Sequence, residues 1–282
     1  MKAETNTTVS ESIEARPSGR YSSLKSVLHL FGSLAIAHSL VLTVHEFGHA
    51  IAYKISGYHI QKIFLHPFDL SQVVTVEQNV KGVFEGLMGP LLNISIATIV
   101  FIALLKFRKP QLLPLLLWGP MAYIEEGVAI IIDVIEYPGV IADWGHAMLA
   151  GTPVAIIAIV GILFILIGSF GALLVFPLAN VVPTDPFFKR LALSTGGFVG
   201  FYFLSFLFVL IFNKWLVLWR GIALGSCVGL VLILTAIHKP LFKPLDKIAH
   251  IESSEISWTI VGVSLGIAAT FMTVQMLTFY LI

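Results

Sequence analysis

Three residues within five positions carry the most demanding chemistry in this sequence: His45, Glu46 and His49, in the order His45-Glu46-Phe47-Gly48-His49. On a helix His45 and His49 stand one turn apart on one face, so two imidazoles can address one metal ion, and Glu46, offset by about 100°, can reach a water on it. Those residue types at that spacing point to a zinc ion with a general base beside it. The pentad lies within Val41 to Ile55, a stretch otherwise mostly apolar. An ionisable group in such surroundings is costly unless it is used.

A catalytic zinc takes three protein ligands and keeps a fourth position for water, so two histidines are not enough. Three aspartates compete for the third place: Asp133 inside the third apolar run, Asp143 just beyond it, and Asp185 after the fourth. His146, three residues after Asp143, is a further alternative, although a lone loop histidine is usually solvated. His38 precedes His45 by two helical turns on the same face and reads as a hydrogen-bonded neighbour or packing residue rather than a ligand. Glu125, Glu126 and Asp133 in the third run imply a wet cavity or pairing with a cation.

The elements that must position these residues are membrane spans. Of 282 residues, 57% are hydrophobic and only 12% charged, far more apolar than a soluble domain requires, so an integral multi-pass membrane protein is expected. Lys and Arg total 17 against 16 Asp and Glu, which leaves no basic excess for a nucleic-acid partner. The single cysteine, Cys227, forms no internal disulfide and reads as packing. No apolar run with a cleavage site precedes the first span, so a cleaved signal peptide is not expected.

Apolar runs of crossing length occur near 27–56, 83–105, 112–136, 152–179, 194–212, 215–237 and 257–281, which predicts an all-α polytopic fold of about seven transmembrane helices. Between the first two, residues 57–82 contain Gly57, Pro67 and an alternating Val73-Val74-Thr75-Val76-Glu77 segment, which predicts a small strand or hairpin element. The chain divides into a disordered polar tail (1–26), a three-helix membrane core (27–155) and additional transmembrane helices (156–282). Span order places the N-tail and most Lys/Arg-bearing turns on one side, which is then cytoplasmic. By the same count Asp133 and Asp143 share the membrane side of His45 and His49, whereas Asp185 lies opposite.

His45-Glu46-Phe47-Gly48-His49-Ala50, followed by Gly89-Pro90-Leu91-Leu92-Asn93 near the start of the second span, resembles the site-2 protease family of intramembrane zinc metalloproteases, in its divergent bacterial and archaeal branch. The resemblance covers roughly residues 35–155. In that family an aspartate near the end of the third core helix completes the zinc site, commonly in an Asn-x-x-Pro stretch leading to Leu-Asp-Gly. This chain departs from that pattern: its Ala142-Asp143-Trp144 segment looks like the divergent branch's Ser-Asp-Ala segment, while Asn180-Val-Val-Pro183-Thr-Asp185 echoes Asn-x-x-Pro on the wrong side. The resemblance thus implies Zn2+ held by His45, His49 and Asp143, with Glu46 as general base.

It further implies a zinc metalloendopeptidase that cleaves membrane-protein or peptide substrates in or near the lipid bilayer, most naturally in the cell membrane. In such an enzyme zinc lowers the pKa of its water, Glu46 takes the proton, and Glu46 returns it to the leaving amine. The resemblance also suggests that Asn93 binds the extended substrate, while the strand-like 57–82 segment could accept it as an added strand. Two other membrane-protease signatures fail at Ala129 and Ile130, where an arginine or an aspartate would be needed. The rival readings are a catalytically silent relative serving as a scaffold or client-binding protein, and a metal or proton transporter.

Overall fold

The computed structural model describes residues 20–65, 71–77, 82–139, 142–182, 185–197, 215–238 and 255–280. Helix α1 runs from Arg20 to Ile55, so it begins inside the stretch that reads as a polar tail; residues 1–19 lie outside the described residues. Strands β1 (Ile60–Phe64) and β2 (Gln72–Thr75) follow as an antiparallel hairpin, with an irregularity between Ile60 and Lys62. Then come α2 (Val83–Leu105), a 3-10 turn (Pro110–Leu112), α3 (Leu113–Glu136), the short α4 (Gly145–Leu149) and α5 (Val154–Val175), which ends in a second 3-10 turn (Phe176–Ala179). A helical stretch at 187–197 follows, and then helices α6 (Trp215–Ile237) and α7 (Trp258–Tyr280).

Among the described residues, 5 helical segments are long and apolar enough to cross a membrane: Ser23–Ile55, Val83–Leu105, Pro110–Glu136, Val154–Ala179 and Trp258–Gln275. Such lengths and compositions are those of a multi-pass membrane protein. The expected count of about seven is therefore met only in part. The 194–212 run falls largely outside the described residues, and of the 215–237 run the portion Ala223–Ile237 is a shorter apolar helix. The hairpin expected between the first two spans is present. Cys227 is exposed on α6 rather than packed, which corrects its sequence reading among the described residues.

Helices α2, α3 and α7 pack around α1, and α5 packs along α3. Small residues allow the close approaches, as is usual where lipid supplies no hydrophobic drive between helices. A Cβ at Gly161 on α5 would lie 2.8 Å from Ile130 Cγ2, and one at Gly168 would lie 2.7 Å from the Pro120 carbonyl oxygen. Pro120 tolerates its place inside α3 because α5 covers that stretch. Polar cross-links join the bundle away from His45 and His49. On α1, His29 donates from Nε2 to the Pro110 carbonyl at 3.0 Å, and Gln275 of α7 donates to the Ser39 carbonyl at 3.0 Å and to Thr43 Oγ1 at 3.1 Å.

Candidate metal centre

Helix α1 presents His45 and His49 toward the start of α2 and the loop between α3 and α4. His45 Nε2 lies 2.9 Å from His49 Nε2 and 3.0 Å from Asp143 Oδ2, and His49 Nε2 lies 3.3 Å from the same oxygen. Two donors about 2.0–2.1 Å from a tetrahedral zinc stand roughly 3.3 Å apart, so this triangle suits one small cation. The outward nitrogens settle what the inward ones carry. His49 Nδ1 is 2.6 Å from the Glu85 carbonyl oxygen and His45 Nδ1 is 2.7 Å from Glu126 Oε1, groups that accept rather than donate.

Each neutral imidazole therefore keeps its proton on Nδ1 and aims a lone pair from Nε2 at the other ring and at a carboxylate oxygen. Three electron pairs converging within hydrogen-bonding distance repel unless positive charge lies between them. A divalent metal satisfies all three at once, which is the fit expected of a metal site. Glu46, the next residue after His45, is 5% exposed and points into the protein.

The close approach of α1 and α2 depends on glycine. A Cβ on Gly48 would lie 2.7 Å from Gly89 Cα, and one on Gly89 would press into the His49 ring, 2.7 Å from both Cδ2 and Cε1. Gly89 therefore has a packing reason that the sequence did not disclose. Glu85, in the first turn of α2, anchors the same region: its Oε2 accepts from the Gly82 amide at 3.0 Å, and its Oε1 accepts from the Ser56 hydroxyl just beyond α1. This is half of a capping box, with Gly82 at the N-cap, so the Glu85 carbonyl that receives His49 Nδ1–H is held in register. Sequence reasoning passed over Glu85; its signal was a glutamate three residues after the N-cap Gly82.

Asp133, a contender for third ligand, takes another place. It is 3% exposed, and its Oδ2 accepts from the Trp144 amide at 3.2 Å, holding the loop that carries Asp143. Asp185 pairs instead with Lys189 at 2.8 Å. The Asn180 amide preceding it donates to Ser26 Oγ at 3.0 Å, which sets this stretch beside the start of α1. Ser26 precedes His45 by nineteen residues, roughly 28 Å along a helix. His146 lies on α4 rather than in a loop, beside Gly86 of α2, with Cδ2 3.1 Å from where a Gly86 Cβ would stand.

Asn93 is not at an open surface. It is fully buried, its Oδ1 accepts from Trp118 Nε1 at 3.1 Å, and its Nδ2 donates to Glu126 Oε1 at 3.4 Å. The polar atoms of Asn93 thus face the bundle interior rather than an extended substrate, because α3 covers that side of α2. Glu125 pairs with His38 Nδ1 at 2.9 Å. Both adjacent glutamates of α3 therefore reach histidines of α1 two turns apart, a pairing that intramembrane charges invite but whose partners sequence distance concealed. No family model, curated protein or solved structure matches the chain.

Proposed function

We propose that this protein is an intramembrane zinc metalloendopeptidase of the site-2 protease type, resident in the cell membrane, that hydrolyses peptide bonds of membrane-protein segments. The observation that carries the reading is the convergence of His45, His49 and Asp143 on one point, near the end of a helix of membrane-crossing length on which the buried Glu46 directly follows His45. A zinc ion bound there supplies acidity to a water and polarises a carbonyl. Glu46 accepts the proton from the attacking water and delivers it to the amide nitrogen as the carbon–nitrogen bond breaks. His45 and His49 present neutral Nε2 atoms, because Glu126 and the Glu85 carbonyl hold the protons on Nδ1.

The reacting peptide must be extended, since a helix occupies its own carbonyls. The β1–β2 hairpin begins a few residues beyond α1, and an added strand along a hairpin edge is a common way to hold such a segment. A peptidase needs Glu46 as base, whereas a scaffold that merely retains the metal does not. In the purified full-length protein, Glu46→Gln is expected to keep its zinc and lose cleavage of a transmembrane peptide carrying a fluorophore and quencher. Cleavage by Glu46→Gln at the wild-type rate contradicts the assignment.

A further inference from the structure

The two histidines of the candidate centre have unlike outer partners. His49 donates to a neutral backbone carbonyl, whereas His45 donates to the carboxylate of Glu126 at 2.7 Å. A carboxylate draws on the Nδ1 proton more strongly than a carbonyl and so raises electron density at the opposite nitrogen. Glu126 is 3% exposed, too deep in the α1–α3 interface to meet a substrate. A buried carboxylate with no task is expensive.

Its own orientation is set by residues further from the site. Trp118 Nε1–H can only donate, so the Asn93 oxygen must face it at 3.1 Å. That leaves the Asn93 NH2 directed at Glu126 Oε1 at 3.4 Å, the same oxygen that receives the His45 proton. The chain Trp118, Asn93, Glu126, His45 thus passes from α3 to α2, back to α3 and on to α1. Trp118 and Asn93 are 5% and 0% exposed, so water does not compete for these bonds.

We propose that Glu126 is the positioning residue of the metal centre, fixing the tautomer, orientation and donor strength of His45, and that Asn93 and Trp118 position Glu126. This rests on the metal-centre reading but not on proteolysis. Glu125 provides an internal control: it makes the neighbouring pair with His38 across the same two helices, without touching a candidate ligand. A residue that merely glues α1 to α3 acts alike at positions 125 and 126.

The test measures Zn2+ affinity of the full-length protein in detergent by competition with a chromogenic chelator, together with the visible spectrum of the Co2+-loaded protein. Glu126→Gln is expected to weaken Zn2+ binding about tenfold and Glu126→Ala up to about a hundredfold, with shifted Co2+ bands. Trp118→Phe, which removes the donor alone, weakens it severalfold, and Glu125→Gln changes it less than about twofold. The near-isosteric Glu126→Gln carries the result if Glu126→Ala does not fold. Wild-type affinity and an unshifted Co2+ spectrum in Glu126→Gln overturn the proposal, as does an equal loss in Glu125→Gln. If the wild-type chain binds no Zn2+, the metal reading and this inference fall together; if it binds Zn2+ with the expected variant order but cleaves nothing, only the peptidase reading falls.

Discussion

Helices α3 and α5 lie side by side, both of membrane-crossing length, and they are opposite in kind. Helix α3 carries Glu125, Glu126 and Asp133, all at most 5% exposed, and each accepts from a partner: His38, His45 and the Trp144 amide. Helix α5 has no charged residue and turns Ile159, Ile162 and Leu166 outward, all more than half exposed at 56%, 51% and 59%. In a soluble protein the more apolar helix is the more buried. Here the ranking is reversed, because the polar groups have to find one another inside while lipid serves as solvent for the rest.

The sharpest way to break this contrast is to remove the inward chemistry. His49→Ala and Asp143→Ala are each expected to abolish stoichiometric zinc binding, read by metal analysis of the purified protein, and to reduce peptide hydrolysis to background. Next in size is a charge placed on the outward face. Ile162→Lys, near the middle of α5, is expected to oppose membrane insertion by about 2.5–3.5 kcal/mol. A glycosylation-based insertion assay measures it; unchanged insertion would show that α5 does not face lipid.

Smaller effects probe the contacts that join the two helices and the loop. Asp133→Ala removes the acceptor of the Trp144 amide and is expected to destabilise by about 1–3 kcal/mol, loosening Asp143 and lowering zinc affinity. Gly161→Leu overpacks the α3–α5 contact by a similar about 1–3 kcal/mol, but leaves zinc affinity intact. Denaturation midpoints in mixed detergent separate the two from wild type, and metal titration separates them from each other. The smallest effect lies outside the bundle, in the hairpin. The His59 hydrogen bond holds the exposed Glu77 carboxyl below its ordinary range, so the local stability it lends is complete at neutral pH and fades as pH falls through that lowered value. Protection from exchange of the Val76 amide, whose N–H bonds to the His59 carbonyl, should fall over that acidic range in wild type and depend less on pH in His59→Ala, which keeps only the backbone N–H of position 59 as a donor to Glu77.

The parts of this arrangement that were legible in the sequence are those encoded locally. The one-turn spacing of His45 and His49, the crossing lengths of α1, α2, α3 and α5 and the alternating stretch of β2 each follow from a period within one segment. Span order also set Asp185 apart from the histidines, and Asn180, five residues before it, meets Ser26 near the start of α1. What stayed hidden depends on partners distant in sequence. The side chain of Asn93 reads the same whether it faces a substrate or Trp118, and only the packing of α3 on α2 decides. Asp133 looked like a ligand because its partner is a backbone amide, which no residue type announces. Helix α4 is too short to leave a periodic signal, and Gly89 stands out only once the His49 ring is seen against it.

The central claim is that His45, His49 and Asp143 hold one metal ion. Zinc K-edge X-ray absorption of the purified full-length protein addresses it most directly. The expected spectrum shows one zinc per chain with two imidazole shells and oxygen donors at about 2.0–2.1 Å, and the imidazole signal is lost in His49→Ala together with the metal. A wild-type protein without stoichiometric zinc, or one whose zinc spectrum is unchanged in His49→Ala, would contradict the account.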